Sequence, residues 1–109
     1  MKYLKKYESD NDEPKVGDYF IVTIFPKDYY SEEYINFLKE HIGRIIRIDK
    51  SYNVNNIAWI LGKFLFTSDD SVQVKNSFNY VQSFDFKHIT FSSNKEDLEA
   101  ILQAKKYNL

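Results

Sequence analysis

Cysteine is absent from the 109 residues, which excludes disulfide scaffolds, thiolate nucleophiles and thiolate zinc sites, and favours a reducing compartment or a virion. Long apolar runs are missing too. The longest, Ile57-Ala58-Trp59-Ile60-Leu61 and Tyr19-Phe20-Ile21-Val22, fall far short of the roughly 20 residues needed to cross a bilayer. The first residues, Met1-Lys2-Tyr3-Leu4-Lys5-Lys6-Tyr7, lack the apolar stretch of a secretory signal, so the expected location is the cytoplasm, that of a host if the protein is viral, or a virion. Charge of one sign is also lacking. A net charge of -1 gives neither a basic field to draw phosphates nor an acidic surface that imitates a duplex. No membrane partner is expected.

Aromatic residues are abundant, with nine tyrosines and nine phenylalanines. A chain of this length supports one core and one domain. The segment 1–14 reads as a basic, aromatic arm followed by a flexible acidic linker closed by Pro14, and 15–109 as the single domain. Two glycine-initiated, β-branched runs, Val16-Gly17-Asp18-Tyr19 and Ile42-Gly43-Arg44-Ile45, open strands at 19–25 and 44–49. Pro26 stops the first, and 50–56 is a polar turn. Residues 57–66 are apolar on both parities, which means a central strand covered on both faces or a strand with a partner surface, and Gly62 is expected at a bulge. After a turn at Asp69-Asp70-Ser71, Val72, Val74, Phe78, Tyr80, Phe84 and Phe86 alternate with polar residues in the half-buried strand pattern.

Helical spacing of Tyr34, Ile35, Leu38 and Ile42 predicts a helix over 31–42, capped by Ser31, with Glu32 and Glu33 in its first turn and Gly43 at its left-handed end. Ser93 and Glu96 have capping-box spacing ahead of a second helix over 94–104 with Leu98, Ile101 and Leu102 as its apolar stripe. The expected fold is therefore α+β: a strongly bent antiparallel sheet or small barrel with an inserted helix and a C-terminal helix. Trp59, Phe84, Phe86, Ile21, Ile46, Leu98 and Ile101 are its expected core.

On the two glycine-opened runs and Ser93-Asn94-Lys95-Glu96-Asp97-Leu98-Glu99, the chain resembles small phage and bacterial proteins with a Src-homology-3-type barrel. The resemblance covers residues 15–104 and implies a fold and a phage or mobile-element origin, with no catalytic residues to transfer. Residues 1–8 resemble the capsid-targeting peptides of T-even-like phages, with Lys6 departing from the aliphatic residue expected two before the cleaved glutamate.

Chemistry-bearing patterns are few. His41 and His88 have no metal ligand at i+4, and a catalytic reading requires an aspartate beside one of them in space. Gly62-Lys63 lacks the other residues of a phosphate loop. Asp69-Asp70 lacks the spaced oxygen ligands of a calcium loop, and Ser92 and Ser93 lack a nucleophile elbow. No catalytic residue, metal or cofactor is expected. The leading reading is a non-enzymatic protein-binding module, acting as a counter-defence inhibitor or a virion or packaging accessory, with Tyr29, Tyr30, Trp59 and Lys63 as its partner-binding residues. Tyr29-Tyr30 stands out as a pair expected to be exposed on a loop. One alternative is a nucleic-acid-binding small barrel using Arg44, Arg47, Lys50 and Lys63 beside aromatic rings, and a further one, less favoured, is a small enzyme that uses His41 or His88 with a nearby aspartate.

Overall fold

The structure, a computed structural model, describes residues 5–6, 13–26, 28–51 and 57–107. Six strands and three helices follow one another in the order β1 (Lys5–Lys6), β2 (Tyr19–Val22), α1 (Glu32–Leu38), β3 (Gly43–Ser51), β4 (Ile57–Phe64), α2 (Val72–Phe78), β5 (Gln82–Asp85), β6 (Ile89–Ser92) and α3 (Lys95–Tyr107), with a 3-10 turn at Phe86–His88 before β6. All strand pairs are antiparallel and the spatial order is β1-β6-β2-β3-β4-β5. The α+β class follows. The sheet is open, with β1 and β5 as its two edges, so the barrel closure expected from the sequence is absent among the described residues. No helix among the described residues is long and apolar enough to cross a membrane.

The pleat divides the apolar residues between two faces. Phe20 and Val22 of β2, Ile45 of β3, Ile60 and Phe64 of β4, Phe84 of β5 and Ile89 and Phe91 of β6 point to one side, where Phe37 and Leu38 of α1 close the main core and Val74 and Phe78 of α2 pack against it. Ile21 points the other way and joins Ile42 and Leu98, with Tyr19, Ile101 and Leu102 packed around them. Helix α3 therefore covers β2 and β6 on the second face. Strands β3, β4 and β5 lie beyond it.

Phe20 has no solvent exposure and sits at the centre of the main core, its ring 5.3 Å from that of Phe64 and 5.7 Å from that of Phe84. The ring lies directly over Gly43 and Gly62, where an added Cβ would come within 2.4 Å of it at either position. Gly43 is thus the first residue of β3, pressed against an aromatic ring, and not a left-handed helix end. Helix α1 already stops at Leu38, with Lys39 as its C-cap in right-handed conformation. Gly62 likewise marks a close approach and not a bulge. The left-handed glycine is Gly17, at φ +96°, in the turn that leads into β2.

The bulge falls in the facing strand, between Ile45 and Arg47. Strict alternation from the buried Ile45 would send Ile46 out, Arg47 into the core and Ile48 out. One extra residue at Ile46 reverses the parity, so that Arg47 pairs with Leu61 on the outside and Ile48 with Ile60 on the inside. Ile46 is consequently 45% exposed instead of forming core as expected. Trp59 is half-buried and belongs to neither apolar cluster, a second departure from the expected core.

The alternation at 72–78 is helical and not extended. Ser71 accepts from the Val74 amide at 3.1 Å, and the i, i+4 pair Val74 and Phe78 turns to the core while Val72 is exposed. Strand geometry is limited to Gln82–Asp85. At the start of α3 the reciprocal Ser93–Glu96 arrangement is replaced. Ser92 Oγ accepts from the Asn94 amide at 3.0 Å and donates to the Asp97 carboxylate at 2.8 Å, and Ser93 is exposed. Within the segment 1–14, Lys5 and Lys6 pair with Phe91 and Thr90, Pro14 is buried, and Glu13 accepts from Lys50 Nζ at 2.5 Å. The rest of the expected arm, and the turn at 52–56, lie outside the described residues.

Gly62→Ala is expected to destabilise the domain by about 1–3 kcal/mol through overpacking against Phe20. Phe20→Leu in the same chain should recover part of that loss. Urea unfolding of the single and double variants measures both.

Candidate functional site

Directly paired residues in an antiparallel sheet share a face, which defines three rows on the outer surface of β3, β4 and β5. Asp49, Trp59 and Asp85 form the first, Arg47, Leu61 and Ser83 the second, and Arg44 with Lys63 the third. Ile46 adds an exposed apolar side chain at the bulge, and Leu65 another beyond Lys63. Continuing the pairing of Gly62 with Gln82 sets Val81, 43% exposed, beside Lys63. Helix α3 covers only the neighbouring half of this face. Strand β4 is thus apolar on both parities, with one side in the core and, among the described residues, Trp59 and Leu61 half-buried on the other, where α3 does not pack.

Three of the four cations considered for phosphate contact, Arg44, Arg47 and Lys63, come together here. Lys50 does not, because it pairs with Ala58 on the core-side parity. Arg44 rests its guanidinium 5.5 Å from the centre of the Tyr19 ring, and Arg47 bonds the Asp49 carboxylate at 3.0 Å. Lys63 makes no ion pair among the described residues. Trp59 stands between Asp49 and Asp85, and Asp85 also accepts from the Lys87 amide at 2.9 Å. Asp49 and Asp85 were not singled out in the sequence; their signal is that both have the outward parity of Trp59 once the bulge is placed.

The loop tyrosines separate. Tyr29 is 82% exposed, whereas Tyr30 is half-buried, edge to face with Tyr34 at 5.0 Å and packed against the main core. The expected exposed pair is therefore a single exposed residue. Tyr34, Phe78, Phe37 and His41 continue as a column of nearly parallel rings, with successive centroids at 5.6, 4.2 and 4.0 Å. Tyr34 donates to Gln82 Oε1. Burial, and next the nearby Tyr80 and Tyr30, push its phenol far above the ordinary tyrosine value, while burial alone raises that of Tyr30.

The end of this column is where the fold brings a histidine and an aspartate together. His41 Nε2 lies 2.8 Å from Asp70 Oδ1 and Nδ1 lies 2.8 Å from the Phe37 carbonyl. Both partners are acceptors, so the imidazolium alone makes both bonds in full. Both ring nitrogens are engaged within the protein. The pair ties the end of α1 to the turn before α2, where Asp70 Oδ2 also accepts from the Thr67 amide at 2.8 Å. His88 instead contributes its backbone carbonyl, which accepts from the Thr23 amide at 2.8 Å. Among the described residues no three His, Asp or Glu side chains are grouped to hold a metal ion.

Burial acts to raise the Asp70 carboxyl, but the Thr67 amide, the His41 hydrogen bond and charge, and Lys75 together hold it below its ordinary 3.8. A carboxyl depressed in the folded state stabilises the fold above its unfolded value, and that contribution is lost as pH falls through the folded value. Thermal unfolding between about pH 6 and pH 2 should therefore show a steeper acid loss for the parent than for Asp70→Asn. Parallel curves would separate Asp70 from acid stability.

Compared with protein-family models, with curated proteins and with solved structures, the chain has no match in any of the three.

Proposed function

We propose that this chain is a non-enzymatic protein-binding module that recognises its partner with the open outer face of β3, β4 and β5. The observation that carries the reading is Trp59 with Leu61: large apolar side chains, half-buried but outside the core, on the side of a central strand where, among the described residues, α3 does not pack. Aromatic and aliphatic anchors ringed by charge are the usual composition of a protein contact. Tyr29, far more exposed but alone on its loop, is an accessory contact in this reading.

The nucleic-acid alternative draws on Arg44, Arg47 and Lys63 sharing that face. Against it, the tryptophan that would stack on a base is flanked by two carboxylates, which repel the phosphates that base stacking brings with it. Arg47 is already engaged with one of them. A phage or mobile-element origin, with a counter-defence or virion role, rests on the sequence resemblance.

A photo-crosslinking amino acid at position 61 should yield an adduct with a protein, and the same group at Val72, 73% exposed on α2, should not. An adduct with nucleic acid at position 61 would replace this reading with the alternative. Trp59→Ala should abolish binding while costing only about 1–2 kcal/mol of stability. Phe84→Ala, in the core, should cost about 3–5 kcal/mol. Chemical denaturation of the two variants provides the comparison.

A further inference from the structure

The outer face carries opposite charge at the two ends of one short stretch of β4. Leu61 lies midway along β4 between Trp59 and Lys63, each two residues away, or about 6.7 Å along the strand. At one end the Trp59 indole stands between the Asp49 and Asp85 carboxylates, an aromatic and anionic socket. At the other end Lys63 is exposed and makes no ion pair among the described residues. A lysine ammonium gains from both an aromatic face and a carboxylate.

Resting on the protein-binding reading above, we infer that the partner of this face is a second copy of the same chain, related by a two-fold axis that runs across the strands at Leu61. Such an axis sets Leu61 against its own symmetry mate and lowers Lys63 of each copy into the Asp49–Trp59–Asp85 socket of the other. It also brings Arg44 on β3 opposite Asp49, and sets Arg47, the neighbour of Leu61, against its own mate, a like-charge contact that the Asp49 carboxylate bound to each Arg47 screens. The two strands β4 then run antiparallel, with the sheets stacked face to face at about 10 Å, the separation that interdigitating side chains fill. Because the contact is isologous, each favourable pair occurs twice. Ile46 and Leu65 extend the apolar area on either side of Leu61.

The face is only three strands wide. Its contact area sits toward or below the low end of specific interfaces, about 1,200 Å² in total. The dimer is accordingly weak, with a dissociation constant on the order of 10–500 μM, and forms where the chain is concentrated.

Sedimentation equilibrium of the full chain, from about 5 μM to about 1 mM, tests this. The parent should pass from monomer to dimer. Lys63→Glu should weaken association at least about tenfold by facing the socket with a third carboxylate, and Asp49→Lys should do the same by facing Lys63 with a like charge. Mixing the two variants should restore most of the association, because both contacts of position 63 become attractive in the heterodimer and only one of the two Arg44 contacts stays repulsive. Both positions are outside the core, and circular dichroism confirms that each variant is folded. A parent that stays monomeric throughout the range overturns the inference, as does a Lys63→Glu variant that associates like the parent, or a mixture that fails to restore association. A monomeric parent that still forms a protein adduct from position 61 removes the second copy as partner and leaves the wider protein-binding reading standing. Absence of both removes the two together.

Discussion

Arg44 and Arg47 stand three residues apart in a strand whose side chains alternate by two, and both must avoid a core built of rings and aliphatics. The bulge at Ile46 resolves that conflict. Burying a guanidinium without a partner costs several kcal/mol, so a slipped or unbulged register is strongly disfavoured. The same extra residue restores Ile48 to the inner face beside Ile60 and sends Ile46 outward. The placement of Arg47 beside Leu61 and of Asp49 beside Trp59, which completes the row with Asp85, follows from the register set after that residue.

The inner face depends on a complementary device. Phe20 occupies space that Gly43 and Gly62 leave empty, so two neighbouring strands approach one ring without a methyl group between them. Around it, α1 and α2 are only seven residues each, too short to be stable by themselves. Their serine caps, the column from Tyr34 through Phe78 and Phe37 to His41, and the His41–Asp70 bond hold them to the sheet and to each other. Structure on this side is fixed by packing. The opposite side is left with its apolar residues uncovered by α3.

Much of this was legible in the residues. The strands expected over 19–25, 44–49 and 57–66 are present as Tyr19–Val22, Gly43–Ser51 and Ile57–Phe64, and with the Ser31 cap, the C-terminal helix with Leu98 inward and the two-sided apolar character of β4 they follow from periodicity and capping chemistry. The signal failed where two periods agree. Val72, Val74 and Phe78 fit alternation by two and also contain an i, i+4 pair, and the Ser71 cap decided for helix. The three-residue spacing of Arg44 and Arg47 signals the bulge in β3, whereas Gly62, a residue type common at bulges, sits in the regular facing strand because Phe20 presses against it. The His41–Asp70 contact joins residues 29 apart in sequence and depends on the placement of α2. Of the residues considered for partner contact, Trp59 and Lys63 share one face, while Tyr30 turns inward for the sake of Tyr34.

The central claim is that the alternation of β4, with Ile60 and Gly62 turned inward, places the sole tryptophan half-buried on the outer face of the sheet and outside the core. Acrylamide quenching of Trp59 fluorescence in dilute folded protein tests it most directly, since no other tryptophan contributes. The account predicts that acrylamide reaches the indole in the folded protein, and that quenching rises further on unfolding as the half-buried ring becomes fully exposed. A blue-shifted emission that resists the quencher until the protein unfolds would place Trp59 in the core and contradict it.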